Sequence, residues 1–152
     1  MLTERRKPLR IRGSAYESCV RSVMLYGSET WAMTKKDEDI LRKWDKRMLR
    51  YMARVKWQNG VSSDEEAKRC DLGNILETAR QGRLHWFGHV RREGEEGVLM
   101  KVEKMQVTGN RLPERPKGTL DQLVQRDMKK RGLKEEQVMD RTTWKRLIKV
   151  HK

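Results

Sequence analysis

Apolar positions recur along most of this chain three and four residues apart, the spacing of helices that each turn one face inward. The sharpest instance is Ile40, Leu41, Trp44, Met48, Leu49, Met52 and Val55, a stripe of about six helical turns with Lys and Arg on the remaining faces. Thr34 stands before it as an N-cap with Asp37 three positions on, and Asn59 and Gly60 close it. Upstream, Ser14 is placed to cap a helix carrying Tyr16, Cys19, Val20, Val23 and Met24. Pro8 and Gly13 bracket the segment before that helix, and Gly27 ends it inside the turn LYGSETW (25–31).

Downstream, Ser62 or Ser63 with Asp64, Glu65 and Glu66 opens a short helix, the acids lying where the helix dipole favours them. A longer helix follows from about Asn74 to Arg92, striped by Ile75, Leu76, Ala79, Trp86, Phe87 and Val90. The pattern then dissolves. EGEEG (93–97) is a break, VLMKVEKMQV (98–107) reads equally as strand or helix, and TGNRLPERPKG (108–118) is an irregular basic linker. Thr119 caps a helix with Leu120, Leu123, Val124 and Met128 inside and Gly132 at its end. A last helical stretch carries Val138, Trp144, Leu147 and Ile148. The expected class is all-α with roughly five or six helices. Its expected division is a helical region over 1–92, a break and linker over 93–118, and a C-terminal helical segment over 119–152.

Composition adds a partner class. The 152 residues hold 36 Lys and Arg against 22 Asp and Glu, a formal +14, and only 36% are hydrophobic. Charge of that size attracts polyanions, nucleic acid foremost. Cys19 and Cys70 have no CxxC spacing, and suit a reducing compartment better than a disulfide framework. The start, MLTERRKPLRIRG, lacks the apolar stretch of a secretion signal, and no run approaches the roughly 18 apolar residues of a membrane span. The expectation is an intracellular chain, nuclear or cytoplasmic, without membrane attachment.

Catalytic chemistry is not legible. His85 and His89 have the i, i+4 spacing of two helical zinc ligands, but Trp86 stands where a zinc-helix motif needs glutamate and no third ligand is nearby, so no metal or cofactor is expected. No phosphate-binding glycine loop or nucleophile–base pairing appears. Trp31, Trp44, Trp57, Trp86 and Trp144 fall on apolar faces and read as core, Trp57 at a helix end being best placed to serve as a stacking platform. The stretch GRLHWFGHVRR (82–92) buries Trp86, Phe87 and Val90 in this reading and offers Arg83, Arg91 and Arg92 to a phosphate backbone. The linker adds Arg111, Arg115 and Lys117.

The blocks LYGSETWAMTKKDEDILRKWDKRMLRYM, RQGRLHWFGHVRR, GNRLPERPKGTLDQLVQRDMKKRGL and DRTTWKRLI, in this order from about residue 10 to residue 150, resemble the C-terminal region of non-LTR (LINE-type) retrotransposon reverse transcriptases, particularly the RTE-like kind. The resemblance implies a helical thumb and its extension, touching a template–primer backbone downstream of a palm. The palm's paired aspartates do not appear here. The family's linker commonly reads GxRxRGRPKKTW; in this chain Pro113-Glu114 replaces Arg-Gly, and Gly118 and Leu120 replace a Lys and a Trp. The acid inside the arm lowers its pull on phosphate. The expected function is that of a thumb and C-terminal fragment of an RNA-directed DNA polymerase with sequence-independent nucleic-acid binding. The alternatives are the tail of a longer active polymerase, a host-recruited protein-interaction module using Ile40, Trp44 and Met48, and a decayed fragment without selected function.

Overall fold

Helices occupy the stretches where the three-and-four spacing runs, and the protein is all-α, with no strand among the described residues. The computed structural model describes residues 2, 7–55, 62–94, 96–105 and 118–149. In chain order the helices are α1 (Leu9–Ala15), a π-helical turn (Tyr16–Arg21) leading into α2 (Ser22–Met24), α3 (Lys35–Ala53), α4 (Ser63–Arg69), α5 (Ile75–Glu93), α6 (Val98–Lys104), α7 (Leu120–Arg131) and α8 (Arg141–Leu147). Short 3-10 turns lie at Ser28–Thr30 and Glu135–Val138. The ambiguous segment after the break is helical over Val98–Lys104. Two compact units result, one from the residues up to Gly27 with Lys35–Ala79, the other from Ser28–Thr34 with Arg80–Lys149. This differs from a division at residue 92, because Leu84 and Phe87 of α5 pack with the C-terminal helices rather than with the N-terminal ones.

In the first unit Tyr16, Leu49, Met52, Cys70 and Leu72 form the apolar centre. Beside it lies a buried ion pair. Arg21 donates from Nε to Oδ1 of Asp45 and from Nη2 to Oδ2, both at 2.8 Å, while its Nη1 reaches the carbonyl of Gly73 at 2.7 Å. The Tyr16 hydroxyl donates to the same carboxylate at 2.9 Å, and burial, together with that carboxylate, raises the phenol's pKa above its ordinary value. The π turn is what makes this convergence fit. Five residues apart, Tyr16 and Arg21 would lie about 140° round a regular α-helix, whereas a π turn brings i and i+5 together.

Three expectations change here. Ser14 is not a cap: the first helix starts at Leu9 behind Pro8 and runs past it. Gly13 does not bracket a segment but lies inside α1, where a Cβ would collide with the carbonyl oxygen of Cys70, so the glycine permits the close approach of α1 to the end of α4. Glu66, read as a dipole-facing acid, is fully buried instead. Desolvation raises its pKa, and Arg50, whose Nε lies 3.8 Å away, pulls it back only in part. Cys19 and Cys70 are both free thiols.

The second unit is centred on Trp144, 1% exposed, among Leu84, Phe87, Val124, Met128, Val138 and Ile148. Its indole Nε1 donates to the Leu84 carbonyl at 3.0 Å, which satisfies the one polar atom that burying a tryptophan strands. α7 has the termini its sequence announces. Thr119 and Gln122 form a reciprocal capping box, and Gly132 closes the helix at φ 64°, a conformation that suits glycine. α8 is capped by Asp140, whose carboxylate accepts from the Thr142 and Thr143 backbone N–H groups. A second buried ion pair lies in this unit, Arg83 Nη1 to Asp127 Oδ2 at 2.7 Å, with Arg80 Nε 3.6 Å from the other oxygen.

Replacing Asp45 with Ala strands the buried Arg21 guanidinium and the Tyr16 hydroxyl, so denaturant unfolding should show a loss of about 3–5 kcal/mol. An unfolding midpoint equal to that of the parent protein would show that the pair does not hold the first unit.

Candidate nucleic-acid interface

Burying Asp45 decides which way α3 faces. Leu41, Asp45, Leu49 and Met52 form its buried side, and at 100° per residue the opposite side carries Lys36, Ile40, Lys43, Arg47 and Tyr51, with Trp44 at its margin. Trp44 is 51% exposed and Tyr51 61% exposed. The expectation that Trp44 packs in the core is thus corrected. The apolar stripe extends further round the helix than one buried face can cover, and the Arg21–Asp45 pair takes the central position that Trp44 was assigned. Only Leu41, Leu49 and Met52 of that stripe are fully buried, Ile40 lying outside.

The outer side of α3 has the ingredients of a backbone-tracking surface. Beyond the acidic first turn, Asp45 is the sole acid between residues 40 and 54, and it is buried. Lys36, Lys43 and Arg47 face outward with no competing carboxylate bound to them among the described residues. The Arg47 guanidinium carbon lies 5.4 Å from the Trp44 ring centroid, so the cation rests over the aromatic face. Trp44 and Tyr51 are seven residues apart, about 10 Å along the axis. That is too far to clamp one base between them and suitable for meeting two separate nucleotides. Cations that attract phosphate, interleaved with exposed aromatic rings, are what sequence-indifferent binding of nucleic acid requires.

The arginines singled out in GRLHWFGHVRR fare differently. Arg83 is 2% exposed and its charge is consumed by Asp127, so it is a structural residue and not a phosphate ligand. Arg91 is half-buried, its guanidinium 4.9 Å from the Phe87 ring centroid and its Nε 3.3 Å from Glu135. Arg92 donates to the Val138 carbonyl at 2.8 Å. Trp86 is half-buried, while Phe87 and Val90 are buried as expected. His85 and His89 are exposed, and no group of three or more His, Cys, Asp or Glu able to hold a metal occurs among the described residues. Arg111, Arg115 and Lys117 of the linker, and Trp57, lie outside the described residues. No helix among the described residues is long and apolar enough to cross a membrane. Compared with protein-family models, curated proteins and solved structures, the chain matches none.

The contrast between Trp44 and Arg83 is measurable. Trp44→Ala should change unfolding free energy by no more than about 0.5 kcal/mol, as surface substitutions do, whereas Arg83→Ala should cost about 3–5 kcal/mol by stranding Asp127. Equal costs for the two, read in denaturant titrations, would contradict this placement.

Proposed function

We propose that this chain is a nucleic-acid-binding helical module, the thumb and C-terminal part of a non-LTR retrotransposon-type RNA-directed DNA polymerase, and that it grips the phosphate backbone without reading sequence. The observation that carries this reading is the outer side of α3, where Lys36, Lys43 and Arg47 surround exposed Trp44 and Tyr51 with no exposed acid between residues 40 and 54. The +14 charge of the chain supports it. So does the resemblance of its ordered blocks to the region of such polymerases that follows the palm. The reaction itself belongs in that reading to a palm whose metal-holding aspartates these blocks do not include. The surface supplies positioning: long-range attraction from the cations, then stacking of unpaired bases on the two rings.

A protein partner is the second reading, favoured by the exposure of Ile40 at 46% beside Trp44. Salt dependence separates the two. Each phosphate neutralised contributes about 0.9 to the log–log salt slope for duplex DNA. Substituting Lys36, Lys43 and Arg47 together with Ala should flatten that slope by roughly two to three and lower affinity equally for unrelated sequences. Trp44→Ala and Tyr51→Ala should weaken single-strand binding by about 1–3 kcal/mol each and leave the slope in place. The check is a titration of each variant against unrelated duplexes and single strands at several salt concentrations. Undetectable binding by the parent protein at low salt, or an unchanged slope in the triple variant, would overturn the proposal.

A further inference from the structure

The second unit carries a basic cleft that the α3 surface does not involve. His85, His89 and Arg92 of α5 and Arg141 of α8 line a hollow of about 170 Å³ that contains no carboxylate. Its construction depends on Gly88, which shares one helix face with His85, His89 and Arg92 at three- and four-residue spacing. A Cβ on Gly88 would collide with the Trp144 indole nitrogen and lie 2.9 Å from Nη1 of Arg92. The missing side chain therefore lets α8 lie against α5, and Arg141, one turn before Trp144, comes to the cleft with it. Arg92 is held in place by the bond from Nη1 to the Val138 carbonyl, which uses one of its five N–H donors. Arg141 is exposed, and its guanidinium makes no hydrogen bond or ion pair among the described residues. The nearest acid in sequence, Asp140, is committed to the α8 cap, where bonds from Thr143 and Thr142 hold its carboxyl below the usual carboxylate range.

From these features we infer that the cleft of His85, His89, Arg92 and Arg141 is a binding site for a phosphate monoester or free phosphate. Two guanidinium groups offer forked donors to adjacent oxygens of a tetrahedral anion. Each imidazole presents a donor in either protonation state. One guanidinium is preorganised by the fold and the other has no competing partner, so little must be undone before an anion enters. The site is independent of the α3 reading.

The test follows the imidazole resonances by NMR while inorganic phosphate replaces chloride at constant ionic strength. With three histidines in the chain, single substitutions assign them. The expected result is a saturable shift of His85 and His89, with affinity lowered about tenfold in Arg141→Ala and largely retained in Arg141→Lys. Because the Arg141 side chain makes no hydrogen bond or ion pair among the described residues, the Ala variant keeps the fold, and its unfolding curve should coincide with that of the parent. A second arm compares one short oligonucleotide bearing either a 5′-phosphate or a 5′-hydroxyl, in a Lys43→Ala, Arg47→Ala background that weakens the α3 surface. Tighter binding of the phosphorylated form upholds the site with a nucleic-acid terminus as ligand. Equal binding of the two, with phosphate still saturable, upholds it with the free anion. No shift with phosphate, or unchanged affinity in Arg141→Ala, overturns the site and leaves the α3 proposal untouched.

Discussion

The bidentate pair between Arg21 and Asp45 sets the rotation of the longest helix in the first unit, and with it the surface that the unit shows to solvent. Two charges removed from water are costly, and their mutual attraction offsets that cost only when geometry and additional hydrogen bonds are good. Here both guanidinium–carboxylate bonds are 2.8 Å, and the Tyr16 hydroxyl and the Gly73 carbonyl take up further donors and acceptors. Turning α3 to bury Trp44 instead would carry Asp45 away from Arg21. The aromatic-and-cationic outer side is thus the obligatory reverse of a satisfied buried carboxylate. The second unit repeats the device with Arg83 and Asp127, each of which occupies a position on the apolar face of its helix that only a partnered charge can fill.

Much of the architecture was legible because it is local. The cap of α7 at Thr119, its end at Gly132 and the span of α5 are written in adjacent residues, and the structure has them where those signals stand. What was not legible depends on partners far away in sequence. The three-and-four spacing puts Asp45, Arg83 and Asp127 on apolar faces, but Asp45 lies 24 residues from Arg21 and Asp127 lies 44 from Arg83, so nothing nearby shows the partner that lets each charge be buried. Trp44 was misplaced for the same reason, since hydrophobicity ranks it above Asp45 while pairing reverses the order. The π turn at Tyr16–Arg21 leaves no composition signal either. The basic character of the chain was plain from the start; which cations remain available to a polyanion was not.

Availability divides the basic residues into two kinds. Arg12, Arg21, Arg83 and Arg131 bind carbonyls or carboxylates inside the units and act as cross-links. Lys36, Lys43, Arg47 and Arg141 lie outside with no carboxylate bound to them among the described residues. Net charge measures neither group by itself. The same arithmetic explains why Arg83 and Arg91 of GRLHWFGHVRR, the most conspicuous basic and aromatic stretch in the sequence, are structural, whereas the quieter run after Asp39 forms the candidate nucleic-acid interface.

That assignment of roles is tested most directly by ultraviolet cross-linking of the folded protein to a short single-stranded oligonucleotide, followed by mass spectrometric mapping of the adducts. If the outer side of α3 meets the bases, adducts concentrate on the peptides containing Trp44 and Tyr51. Adducts confined to the residues of α5, α7 and α8, with none on α3, would contradict it.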